Sequence, residues 1–139
     1  MNDDYRTRMD RLDGRIADCE RRIGQAQESA RESEKQARAY DEAGGILASC
    51  SQQTEGIWQD LRQHVKGDAE WRRLEQDDEE RTAMCAQARN ACLEAYDDLV
   101  RQARREHEDA LDIREEQKNL QRAKREYEND ENRRRAPRA

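Results

Sequence analysis

The sequence predicts an all-α fold, a long antiparallel two-helix hairpin of the coiled-coil kind, and three observations predict it. Of 139 residues only 33% are hydrophobic while 43% are charged, with a single Pro and no Phe. Ordinary globular domains draw on nearly half apolar residues. The abundant residues are Ala, Glu, Arg, Gln, Leu and Asp, mostly strong helix formers. Charges of both signs, 27 basic against 33 acidic, leave a net charge of only -6, so self-repulsion does not force the chain into disorder. Finally, the apolar residues recur at a period of about 3.5 residues, the signature of helices that pack along a seam.

The first arm, residues 3–66, carries that seam at Tyr5, Met9, Leu12, Ile16, Cys19, Ile23, Ala26, Ala30, Ser33, Ala37, Tyr40, Gly44, Leu47, Ser51, Thr54, Trp58, Leu61 and Val65. The phase holds over about eight heptads, with mostly Arg, Asp, Glu and Gln between. From Ala26 to Ala37 the seam residues are small, so they bury little area and mark the expected weak stretch. Gly44-Gly45 is where this arm could kink, since two glycines cost a helix about 2 kcal/mol relative to Ala. The unbroken phase across them argues for continuation.

Gly67 is expected to reverse the chain, ending the first helix in a left-handed conformation, with Asp68 as N-cap of the second. The second arm, residues 69–132, reads Trp71, Leu74, Asp78, Arg81, Cys85, Ala88, Cys92, Ala95 and Leu99. It then shifts by one residue to Ala103, Glu106, Ala110, Ile113, Gln117, Leu120, Lys124 and Tyr127. That four-residue step in place of three is a stutter. Folded at Gly67, residue i faces roughly residue 134 minus i in a rod about 90 Å long. Tyr40 then meets Tyr96, Cys50 meets Cys85, and Leu12 meets Leu120 to Arg122. Residues 133–139 form a basic, flexible tail, stopped by Pro137, which disfavours helix at Ala136.

This composition excludes several function classes. No run of about 18 apolar residues occurs, so no membrane insertion is expected. Met1-Asn2-Asp3-Asp4 is acidic and lacks the apolar stretch of a Sec signal. Cys19, Cys50, Cys85 and Cys92 contain no CxxC pair and fit neither a zinc site nor a small disulfide framework. All lie on or beside the apolar stripe, as reduced, half-buried thiols in a reducing cytoplasm. His64 and His107 lie on different arms, with no HExxH and no Glu-x-x-His; no Gly-rich phosphate loop is present. No metal, cofactor or catalytic residues are therefore expected, and no enzyme. Arg133, Arg134, Arg135 and Arg138 could touch phosphates. A solubilising end that complements the helix dipole is the plainer reading, and no nucleic-acid partner is expected.

One feature exceeds what two helices need. A second stripe, Ala39, Ala43, Ile46, Cys50 and Ile57, flanks the seam of the first arm. Ala86, Leu93, Val100, His107 and Leu111 flank the second. A widened apolar face serves more than one partner helix. Ile46, Ile57, Trp58, Trp71, Leu93 and Val100 are accordingly the candidate partner-binding residues. The alternatives are a homodimer built on the same face and simple tolerance of scattered apolar residues.

A helical hairpin with Trp58 and Trp71 near its turn resembles the small WXG-type proteins of type VII (Esx) secretion. The longer arms, the Trp71-Arg72-Arg73-Leu74 segment and the charged second arm more closely resemble the accessory targeting proteins of LXG toxins. That resemblance covers the whole chain, mainly as architecture. It implies a cytoplasmic adaptor or chaperone that binds the helical N-terminal domain of an LXG toxin, with a second small WXG-like protein as a further partner, and targets it for secretion. Export with the partner would then follow a Sec-independent route. Neither tryptophan is followed by the W-x-G glycine, since Trp58-Gln59-Asp60 and Trp71-Arg72-Arg73 both lack it. Tyr127 and Glu131 fit the Y-x-x-x-[D/E] export signal of such partners. The hairpin also resembles flagellar and type III export stalk proteins, and a purely structural coiled-coil scaffold is the reading from a different class.

Overall fold

Two helices account for the structure, a computed structural model that describes residues 2–136. Helix α1 spans Asn2–His64 and helix α2 spans Asp68–Arg135, with no strand among the described residues. Together they form the expected all-α helical hairpin. Asp3 and Asp4 sit in the first turn of α1, Asp68 and Glu70 in that of α2, and Arg133, Arg134 and Arg135 in the last turn of α2. Each charge opposes the partial charge of the helix end it occupies.

The reversal differs from the expectation. Helix α1 stops at His64 rather than residue 66, and the His64 Nδ1 donates to the Asp60 carbonyl at 2.8 Å. With α1 ending at His64, the Asp60 carbonyl lies inside the last intrahelical bonds, so the ring N–H adds a second bond to it and braces the final turn. Gly67 takes no left-handed conformation, because no described glycine has a positive φ. Its carbonyl instead accepts the Trp71 N–H at 2.9 Å. Gly67 thus stands at the N-cap of α2, the role the sequence suggested for Asp68, which is already helical. At the other end α2 runs three residues past Asn132, to Arg135, and the Ala136 N–H reaches the Asn132 carbonyl at 2.9 Å. Arg133, Arg134 and Arg135 are therefore helical rather than tail. Pro137 and Arg138 lie outside the described residues.

Gly44 and Gly45 lie inside an uninterrupted α1. The seam is equally continuous. Every seam position of α2 from Trp71 to Tyr127 is buried or half-buried, through the stutter at Leu99 and Ala103. On α1 only Tyr40 and Leu61 rise above half-buried, at 43% and 45% exposure.

The chain divides into two compact units, Met1–Glu32 with Gln102–Ala139, and Ser33–Arg101. In sequence the division of α2 falls inside the stutter. Cys19, Ala30, Ala103, Ala110 and Leu120 are the buried apolar residues of the first unit. Asp13 pairs with Lys124 at 2.6 Å and Arg22 with Glu116 at 3.4 Å. Tyr5 stacks on Tyr127, ring centroids 5.2 Å apart. In the second unit Ser33 and Ala37 are buried. Arg62 pairs with Asp78 at 2.6 Å, and Arg81 with Glu55 at 3.1 Å and Asp78 at 2.8 Å. Within each unit partners on α2 descend in number as those on α1 rise, so the arms are antiparallel. They keep the expected register to within about one to two helical turns.

The small seam residues are closely covered. Ala30, Ser33 and Ala37 are among the most completely buried residues of α1, at 0%, 5% and 2% exposure. Small side chains bury little area each, but they let two backbones approach closely.

Candidate partner-binding groove

Helix α1 is flanked by aromatic and small side chains where it passes through the second unit. Tyr40, Asp41, Gly44, Gly45 and Ala48 form one wall and the floor of a groove of about 360 Å³; Arg89, Cys92, Leu93 and Tyr96 of α2 form the other wall. The expected meeting of Tyr40 with Tyr96 is found here, across the groove. Gly44 and Ala48 are one turn apart, so the floor has no side chain longer than a methyl at either. A Cβ on Gly44 would lie 3.9 Å from the Cβ of Cys92, an ordinary contact, and one on Gly45 would meet nothing within 4 Å. Neither glycine is required by packing inside the chain, yet each weakens α1 by up to about 1 kcal/mol relative to Ala. Beside this floor Leu93 is 60% exposed.

The residues singled out from the sequence separate into three places. Leu93 lines the groove, and Val100, two turns further along the same strip of α2, is half-buried. Ile46 and Ile57 are exposed, at 64% and 60%, but at about 100° per residue each lies roughly half a turn around α1 from Gly44 and Ala48. They belong to the face opposite the groove. Met84, exposed at 70%, stands half a turn around α2 from Leu93 and joins them there. The single widened face expected from the two stripes is thus two faces. The reason is chirality of pairing: the stripe of α1 flanks its seam on one side and the stripe of α2 on the other, and antiparallel helices bring like sides together.

Trp58 and Trp71 are half-buried seam residues and do not line the groove. Tyr127 and Glu131 are also half-buried. Tyr127 is stacked on Tyr5 and has the Arg8 guanidinium over its ring at 5.7 Å; Glu131 accepts from Arg135 Nε at 3.2 Å. The cysteines divide likewise: Cys19 is buried, Cys85 and Cys92 are half-buried, and Cys50 is exposed rather than semi-buried. Burial pushes the Cys19 thiol pKa up, with the nearby Glu116 carboxylate adding to the shift.

Sequence reasoning missed Asp41, Ala48 and Arg89 of the groove, and Met84 opposite it. The available signal was Gly44-Gly45 itself: a glycine pair inside an unbroken seam phase marks a place where a helix is kept thin. Among the described residues no group of three or more His, Cys, Asp or Glu side chains is placed to hold a metal ion, and no helix is long and apolar enough to cross a membrane. No protein-family model matches the chain, and no curated protein or solved structure shows significant similarity to it.

Proposed function

We propose that this protein is a non-enzymatic helical adaptor that receives a helix of a partner protein in the groove between Tyr40 and Tyr96. The observation that carries the proposal is the thin floor at Gly44, Gly45 and Ala48 beneath exposed Leu93. A floor without side chains admits another helix to close range, and an exposed leucine beside it supplies about 1.5–3 kcal/mol when covered. In its specific form the adaptor binds the helical N-terminal domain of an LXG-type toxin and targets it to type VII secretion. The hairpin architecture and the tryptophans near the turn support that form.

Two groove variants test the reading without disturbing the hairpin. Gly45→Leu fills the floor while improving helix propensity, and Leu93→Glu places an unpaired charge in the interface. Both should remain helical and melt no lower than the parent by more than a few degrees, yet fail to co-purify with the toxin's N-terminal domain and lower its export. Ile46→Glu with Ile57→Glu, on the opposite face, should bind normally. Groove variants that still bind would overturn the docking site. The exposed apolar residues of that opposite face favour a second reading, self-association as a scaffold; dimers lost only on Ile46→Glu with Ile57→Glu would support it instead.

A further inference from the structure

The first unit holds a second concave site, unrelated to the groove. Arg8, Arg11 and Arg15 of α1, with Leu12, surround a slot of about 330 Å³ whose far side is Ala123 and Tyr127 of α2. The three guanidiniums follow one strip of α1, at i, i+3 and i+7. Arg8 lies over the Tyr127 ring. Arg11 and Arg15 form no ion pair with any described residue, whereas the next arginine of the same strip does: Arg22 meets Glu116 at 3.4 Å.

The heptad explains the difference. Arg15 and Arg22 are one heptad apart on α1, and Glu116 and Ala123 are one heptad apart on α2. The position that supplies Arg22 with its carboxylate therefore supplies Arg15 with a methyl group. The slot is an ion-pair position from which the chain's own acid has been left out, next to the apolar floor of Leu12 and Ala123.

We infer that this slot binds an acidic peptide segment, a carboxylate seating on Arg11 and Arg15 while a neighbouring apolar side chain covers Leu12 and Ala123. Charge complementarity selects the occupant. Guanidinium forks bind carboxylates with paired, charge-assisted hydrogen bonds. A volume at the lower end of the range for ligand sites, about 300–1,000 Å³, admits one or two side chains. The basic strip does not extend to a polyanion track: Asp4 precedes it, Asp18 follows it in a pair with Arg21, and the net charge of -6 repels a nucleic acid. Tyr127, the aromatic ring of the slot, is already engaged by Tyr5 and Arg8, so it offers no platform for stacking a base.

The heptad argument also gives the decisive variant. Ala123→Glu restores the missing internal acid with a good helix former, so it should fold and close the slot at once. The probe is a fluorescein-labelled peptide of alternating Glu and Leu, followed by anisotropy with the full-length chain at low salt. Its Gln-Leu counterpart, inorganic phosphate and an oligothymidylate serve as competitors. Saturable binding is expected, weakened about tenfold or more by Ala123→Glu and by Arg11→Gln with Arg15→Gln. Competition by the Gln-Leu peptide, phosphate or the oligonucleotide should be weak. Circular dichroism should show unchanged helicity in both variants. Absence of saturable binding, binding undiminished by Ala123→Glu, or competition by the oligonucleotide equal to that of the acidic peptide would each overturn the assignment.

Discussion

Cys19 is the largest fully buried side chain of the hairpin, and the four thiols report on how each helix is rotated about its axis. At neutral pH a thiol-specific reagent should modify Cys50 first, Cys85 and Cys92 more slowly, and Cys19 only as the chain unfolds. Exposure sets access, and burial keeps the Cys19 thiol in its unreactive protonated form. Mass spectrometry of timed samples reads this order; modification of Cys19 as fast as Cys50 would mean that α1 is turned differently about the seam. Periodicity alone placed Cys19 on the seam. It also placed Cys50 beside it, one position too far around for any neighbour to cover. Small differences of this kind shape the surface: Ala123 rather than a second glutamate borders the arginine slot, and Gly44, Gly45 and Ala48 keep the floor of the groove thin.

Along α1 the glycine pair neither kinks nor ends the helix, because the packed seam on either side outweighs a propensity cost of about 2 kcal/mol. The same pair gives a direct check on register. Since a Cβ at residue 44 would stand 3.9 Å from that of Cys92, within the usual disulfide spacing of about 3.5–4.5 Å, Gly44→Cys should bond to Cys92 on mild oxidation. With Cys50 and Cys85 replaced by Ser, a faster-migrating monomer on a non-reducing gel is the expected product, more stable to heat than its reduced form by about 2–4 kcal/mol. Failure to close, or closure only between chains, would contradict the pairing of α1 with α2 in the second unit. At the turn, local chemistry rather than periodicity decided the boundaries. Helix α1 ends at His64 and Gly67 opens α2; a seam pattern cannot show this, since neither residue is a seam position.

Two helices are all that the described residues form, so neither unit has a third layer to cover the outer faces of its helices. Stability should fall on the alkaline side. The hydrogen bond to Asp13 is the main cause that raises the Lys124 pKa above its ordinary 10.5, so the stabilisation is complete below that value and lost as pH rises through the folded-state pKa. Burial raises the Cys19 pKa above 9.0; above that pH the unfolded thiol ionises while the folded one does not, which again favours unfolding. Melting temperature followed by circular dichroism should therefore drop from about pH 9 upward, and Cys19→Ala should move the onset to higher pH. The Asp18 carboxylate, held below 3.8 chiefly by its hydrogen bond to Arg21, acts in the opposite window and is lost as pH falls; being largely solvated it matters little.

Helix type, number, phase and the stutter were all written in the chain, because a 3.5-residue pattern with charged flanks has only one economical way to bury its apolar stripe. Tyr40 across from Tyr96 follows from that pattern together with the position of the turn, whereas the stacking of Tyr5 on Tyr127 emerged only from the structure. Which side of the hairpin each flanking stripe occupies was decided only by tertiary structure. The sequence of one helix shows what lies beside its seam, but the partner's direction determines whether two such stripes merge or part. Antiparallel packing sends Ile46 and Ile57 to one face and Leu93 to the other, leaving a groove over two glycines where the sequence alone suggested a single broad surface.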